Sequence, residues 1–234
     1  MTAMEYRWKR RFPRLYPILD AELVLRGTGP DQEERRHLLQ HLVRELADAG
    51  VEILQYRNKR DDDAVVAQDA LAMREAAGHA GLTPMRLIPM RLILNDRAGL
   101  VKAAGWDGVH VGQEDLSPEQ ARLLVEPGAI VGFSTHTPEQ VIAADAEPVD
   151  YIAIGPVFAT ASKQDTSPVI GLEGVARARA LTNKPLVAIG GITRETAAAV
   201  YDAGADSVAV IAAIFGGVGR SPAQSARDFL EIFK

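Results

Sequence analysis

Short apolar runs rich in Val, Ile and Leu recur along the chain, and each is followed by a stretch with helical spacing. The apolar runs Leu15–Leu19, Val51–Gln55, Arg91–Leu94, Gly108–Val111, Ala129–Gly132, Tyr151–Ile154, Leu186–Ile189 and Ser207–Ile211 read as strands. Helices are predicted over Asp31–Ala49, Asp62–Gly78, Ala98–Ala104, Pro118–Val125, Pro138–Ala144, Leu172–Ala180, Arg194–Ala203 and Pro222–Ile232. The strands are nearly continuously apolar rather than alternating, as expected of parallel strands covered by helices. Eight strand–helix units in 234 residues predict a single-domain α/β protein, a (β/α)8 TIM barrel, whose usual size is roughly 250 residues. A doubly wound open sheet is the alternative, but no G-x-G-x-x-G follows the first strand to support a dinucleotide site.

Local chemistry supports the boundaries. Ser117-Pro118 and Thr137-Pro138 read as N-caps followed by Pro at the first helical position. Gln120 and Gln140 complete the capping-box pattern. The phrase "small residues, Ala-Gly, strand" recurs in ADAGVEIL, KAAGWDGVHV and YDAGADSVAV, a weak βα repeat. The duplication in MRLIPMRLIL has no physical account.

Composition narrows the function classes. A net charge of −5 argues against a nucleic-acid binder. The sequence has no cysteine, which excludes disulfides, thiolate nucleophiles and Cys-ligated zinc and is compatible with a cytoplasmic location. No apolar run is long enough to span a membrane. Residues 1–14 carry Arg7, Lys9, Arg10, Arg11 and Arg14. With no apolar segment behind them, they read as a solvated basic arm on a catalytic domain of residues 15–234.

Functional groups in (β/α)8 barrels sit at the C-terminal ends of the strands. Strand two leads into Gln55, Arg57 and Lys59, strand three into Asn95 and Asp96, strand four into Gln113 and Asp115. Strand five leads into Ser134, Thr135 and His136, strand six into Thr160, Ser162 and Lys163, strand seven into Gly190-Gly191, and strand eight into Ile211-Ala212. Cations, hydroxyls and backbone N–H groups suit phosphate. The Gly-Gly turn resembles the phosphate site at strands seven and eight of such barrels, though it could be a plain tight turn.

Neighbouring parallel strands lie about 4.8 Å apart, so Asp96 and Asp115 should converge on one rim. Carboxylates about 4 Å apart would repel by roughly 4 kcal/mol at an effective dielectric near 20. A divalent cation between them reverses the sign, and an all-oxygen ligand set favours Mg2+. Alternatively, each Asp caps the helix that follows it. His110 reads as an interior residue, and His136 lies beside Ser134 without a third member for a triad. Trp106, Phe133 and Phe158 read as core or pocket wall.

The segments LQYRNK, ILNDRAGLVKAAGWDGVHVGQEDL, VGFSTHT, YIAIGPVFATASKQD, GLEGV, VAIGGIT and SVAVIAAIF together resemble the thiamine-phosphate synthase family, from about Tyr16 to Phe215. The resemblance implies a (β/α)8 barrel that joins a hydroxymethylpyrimidine diphosphate to a thiazole phosphate. The products are thiamine monophosphate and pyrophosphate, formed through a pyrimidine carbocation. It implies that Gln55, Arg57, Lys59 and Asn95 hold the pyrimidine diphosphate and that Asp96 and Asp115 bind Mg2+. Ser134 would contact the pyrimidine, Lys163 the pyrophosphate, and Thr160 and Ser162 the thiazole. Gly190 or Gly191, with the Ile211-Ala212 backbone, would cradle the thiazole phosphate. The partners implied are these two small molecules, with a homo-oligomer possible. Two positions depart from the family. Asn58 stands where glutamate is common, a change expected to matter little. Ala212 stands where serine is common, which removes one hydroxyl from the phosphate cradle. The rivals are a thiazole tautomerase of the same superfamily, which needs neither the carboxylate pair nor the diphosphate lysines, and a non-catalytic regulator that binds a thiamine precursor.

Overall fold

The computed structural model describes residues 12–26, 31–79, 90–160, 168–217 and 219–233. Strands β1 (Leu15–Asp20), β2 (Ile53–Arg57), β3 (Arg91–Asn95), β4 (Gly108–Val111), β5 (Ile130–Thr135), β6 (Tyr151–Ile154), β7 (Leu186–Ile189) and β8 (Ser207–Val210) pair in parallel. They run in sequence order, and β8 closes on β1. The closed parallel barrel settles the choice against an open sheet.

Helices α1 (Ala21–Val24), α2 (Gln32–Asp48), α3 (Asp63–His79), α4 (Ala98–Ala104), α5 (Pro118–Leu124), α6 (Pro138–Ala146), α7 (Gly171–Leu181), α8 (Arg194–Asp202), α9 (Ala212–Phe215) and α10 (Pro222–Glu231) fill the intervals. The short α1 and α9 are additions to the predicted set. Ser117 forms its capping box with Gln120 on α5. At α6, Thr137 Oγ1 accepts from the Gln140 amide, but the Gln140 side-chain oxygen accepts from His136 N instead of closing the box. No helix among the described residues is long and apolar enough to cross a membrane.

Alternate strand residues separate into two apolar clusters, as the two-residue side-chain period requires. Leu15, Leu19, Leu54, Leu92, Val109, Val131, Ile152, Leu186 and Val208 face the helices. Tyr16, Ile18, Ile53, Ile93, Tyr151, Val187 and Ala209 fill the barrel itself. Phe12 joins this inner set; its ring centroid lies 5.0 Å from that of Tyr151 and 6.3 Å from that of Tyr16. The inward positions above this packing are Asp20, Gln55, Arg57, Asn95, His110, Ser134 and Ile211. The same alternation that fills the core therefore delivers polar side chains to the C-terminal mouth.

Candidate active site

The two predicted carboxylates meet. Asp96 directly follows β3 in the left-handed backbone region, at φ 62°, which Asp tolerates better than most residues. Its amide donates to the His110 carbonyl of β4 at 2.8 Å, and this pins the turn. Asp115 Oδ2 accepts from Gly112 N at 2.8 Å. Lys59 Nζ lies between the pair, 2.5 Å from Asp96 Oδ2 and 4.0 Å from Asp115 Oδ1. Neither carboxylate caps a helix: Arg97 is the N-cap of α4 and Ser117 that of α5.

Burial raises the Asp96 carboxyl above its ordinary pKa, with Lys59 opposing and Asp115 adding to the rise. Burial also pushes Asp115 upward, but the hydrogen bond from Asp96, the Gly112 amide and the Lys59 charge outweigh it and leave Asp115 lowered. The pair titrates as a unit, and Asp96 keeps its proton longer. Two acids this close favour a positive charge between them, and Lys59 supplies one. Among the described residues no group of three or more His, Cys, Asp or Glu gathers as a metal cluster. A two-oxygen set still fits a hard cation that draws the rest of its shell from water and phosphate.

Arg57 points into the mouth and pairs with Asp20, which is 5% exposed. Asp20 Oδ1 also accepts from the amides of Glu22 and Leu23, so one carboxylate caps α1 and holds the guanidinium. Asn58 is buried, and its side chain is fully hydrogen-bonded. Its amide donates to Tyr56 Oη and Asp61, and its Oδ1 accepts from the amides of Arg60 and Asp61. Arg97 Nη2 donates to the carbonyls of Asn58 and Asp61 at 3.2 and 2.7 Å. The backbone on either side of Lys59 is thus clamped by the residue that follows Asp96.

Ser134 meets His110 rather than His136. His110 Nε2 lies 2.8 Å from Ser134 Oγ, and Nδ1 lies 2.9 Å from Tyr151 Oη. His136 Nδ1 instead faces the Gly155 carbonyl at 2.7 Å. His110 is buried, as expected, but its polar atoms are engaged. A Ser–His contact resembles a nucleophile with its base. Here the far ring nitrogen meets a neutral phenol, not the carboxylate that would stabilise an imidazolium. Gln113 Nε2 donates to the Ser134 carbonyl at 2.6 Å and ties the β4 loop to β5.

The remaining predicted residues that are described are spread around the same end of the barrel. Gln55 is 2% exposed, and its amide donates to Tyr16 Oη beneath the mouth. Asn95 ends β3, and Thr160 lies in the loop after β6. Ser162 and Lys163 lie outside the described residues. Gly190 and Gly191 adopt φ 100° and 63°. A Cβ at Gly190 would stand 2.6 Å from Pro156, and one at Gly191 2.5 Å from the Ala159 carbonyl. The Gly-Gly turn is therefore demanded by the β6 loop packed against it. Ile211 is the N-cap of α9 and Ala212 its first residue. Trp106 is core, with Nε1 donating to the Ala70 carbonyl.

A closed parallel barrel with carboxylates, cations and glycine turns gathered at its C-terminal face defines a (β/α)8-barrel enzyme. A family model described as thiamine monophosphate synthase matches residues 28–214. The thiamine-phosphate synthase of Koribacter versatilis is 51% identical over 223 residues, which cover 95% of this chain and 96% of that protein. That of Methanoculleus marisnigri is 42% identical over 188 residues, 80% and 85% of the two chains. The thiamine phosphate pyrophosphorylase structure from Pyrococcus furiosus superposes with a TM-score of 0.76 at 28% identity, covering 95% of this chain and 96% of its own. A geranylgeranylglyceryl phosphate synthase from Thermoplasma acidophilum reaches a TM-score of 0.67 at 15% identity and shares the fold alone. The chain belongs to the thiamine monophosphate synthase family, and with it to the transferases that form thiamine monophosphate.

Proposed function

We propose that the protein condenses a hydroxymethylpyrimidine diphosphate with a thiazole phosphate, releasing pyrophosphate and forming thiamine monophosphate. The observation that carries this reading is the convergence of Lys59, Asp96 and Asp115 beside Arg57 at one mouth. A tautomerase has no need of that cluster, and a passive binder would bind without turnover. The pyrimidine methylene–oxygen bond breaks, and its electron pair leaves with pyrophosphate. The thiazole nitrogen then donates its lone pair to the resulting cationic carbon. Charge balances without a proton transfer, so no side chain has to act as nucleophile or base.

The work left to the protein is neutralisation and alignment. Arg57 and Lys59, with Lys163 by family resemblance, face the diphosphate. Ser134 and Asn95 orient the pyrimidine end, and Gln55 acts from below. Thr160 and Ser162 meet the thiazole. Gly190, Gly191 and the backbone at Ile211-Ala212 receive its phosphate. Asp96 and Asp115 would hold Mg2+, which supplies charge that stabilises the leaving pyrophosphate. Incubating the purified protein with both substrates and Mg2+ should give thiamine monophosphate. Binding of either substrate without coupled product would overturn the assignment.

A further inference from the structure

Barrel interiors are ordinarily filled by branched aliphatic side chains. Here the centre holds two phenols, Tyr16 and Tyr151, each 1% exposed or less. Room is made for one of them. A Cβ at Gly132 would stand 2.0 Å from Tyr151 Cζ and 2.3 Å from its Oη. Burying a hydroxyl is unfavourable unless it is hydrogen-bonded, and both hydroxyls are. Gln55 Nε2 lies 3.1 Å from Tyr16 Oη, which lies 2.9 Å from Tyr151 Oη. Tyr151 Oη lies 2.9 Å from His110 Nδ1, and His110 Nε2 lies 2.8 Å from Ser134 Oγ.

One end suggests a direction. The Gln55 amide nitrogen only donates, so Tyr16 accepts there. The arrangement that leaves no buried proton without an acceptor turns the Tyr16 proton to Tyr151 and the Tyr151 proton to His110 Nδ1. A neutral ring that accepts at Nδ1 carries its proton on Nε2 and donates it to Ser134 Oγ. The Ser134 proton is then turned toward the mouth. Burial raises both phenol pKa values well above the ordinary range, so both stay protonated at neutral pH. Each bond in such a chain polarises the next.

We infer that Gln55, Tyr16, Tyr151 and His110 form a one-directional hydrogen-bond relay that presents Ser134 as a donor to an acceptor atom of the pyrimidine substrate. Tyr16, Tyr151 and His110 are positioning residues. The substrate half of this inference rests on the proposed function, and the relay itself does not. A hydroxyl held as donor selects an unprotonated ring nitrogen. The reverse relay would present an acceptor, suited to an exocyclic amino group.

The test reads tautomer and kinetics separately. In protein labelled with 15N-histidine at pH about 8, where an ordinary imidazole is neutral, long-range 1H–15N spectra report which nitrogen carries the proton. The His110 signals are those lost in His110→Gln. We expect the Nε2–H form in wild type and a growing Nδ1–H population in Tyr151→Phe, with Tyr16→Phe shifted the same way by less. In Tyr151→Phe kcat should fall roughly tenfold, about the worth of one hydrogen bond, with KM for the thiazole phosphate unchanged. An Nδ1–H ring in the wild-type protein would overturn the relay, and this holds whether or not the protein turns over. A lost tautomer with unchanged kcat would overturn the role given to Ser134. Absence of coupled product from the wild-type protein would instead defeat the functional reading alone.

Discussion

Replacing Asp20 by Asn isolates the charge that holds Arg57. The paired side chains are 7% and 17% exposed for Asp20 and Arg57. Asn keeps the shape and an oxygen for the amides of Glu22 and Leu23, so the cap, worth about 1 kcal/mol, survives. What disappears is the anion, and a largely buried guanidinium is left without a counter-charge. Breaking a buried pair in this way costs about 3–5 kcal/mol. Arg57 retains some contact with water, which places the expected loss near the lower end, about 3 kcal/mol. Urea denaturation of wild type, Asp20→Asn, Arg57→Met and the double variant forms a double-mutant cycle. The double variant should be more stable than the sum of the single losses predicts, because it leaves no charge unpaired. Pyrophosphate supplies a replacement anion, so it should stabilise Asp20→Asn more than wild type. A loss below about 0.5 kcal/mol in Asp20→Asn, the level of an ordinary surface change, would refute this account of Arg57.

Asp96→Asn should lower turnover at least a hundredfold while circular dichroism stays unchanged; a wild-type rate at saturating Mg2+ would count against the carboxylate pair. EDTA should abolish activity and added Mg2+ restore it, and steady activity in metal-free buffer would defeat the cation site. Gly132→Ala drives a methyl into the Tyr151 ring, and overpacking of this kind costs about 1–3 kcal/mol; an unchanged melting temperature would contradict it. The Asp61 carboxyl is held below its ordinary 3.8, first by the Asn58 amide and also by Arg35, against the effect of burial. A lowered acid pKa adds stability above the unfolded value that is lost as pH falls through the folded one. Asn58→Ala removes the main cause. Its stability gap to wild type should therefore narrow as pH drops below 3.8, and a gap independent of pH would refute the link.

The barrel was legible because continuous apolar strands, glycine-ended helices and Ser/Thr-Pro starts all pointed one way. The boundaries moved where tertiary bonds decided them. Val51 N donates to the Leu46 carbonyl and finishes α2, so β2 begins two residues later than its apolar run. Strand β5 runs on to Thr135, which pairs with Ile154 and whose Oγ1 donates to the Ala153 carbonyl. The rim carboxylates were visible as polar punctuation after apolar strands. Asp20 also directly follows an apolar run, the one ending on Leu19, but nothing local announces Arg57 as its partner. Tyr16, His110 and Tyr151 sit inside runs that are apolar on both faces, where composition does not say which residues point inward. Only register separates them. His110 pairs with Gly132, and Ser134 lies two residues further along the same face of β5. The signal that could have found the relay was therefore the barrel geometry applied to three polar residues in otherwise aliphatic strands.

The peptide bond between Asn95 and Asp96 has a consequence for how the site can change over time. Its N–H holds the carbonyl of His110, so under the proposed function the residue that would meet the leaving-group end and the residue that would position Ser134 hang from one shared strut. A shift of Asp96 would drag His110 with it, and so disturb the contact between the His110 ring and the Ser134 hydroxyl. Drift at this mouth should therefore proceed by exchanging side chains on a fixed frame, with insertions confined to the loops beyond it.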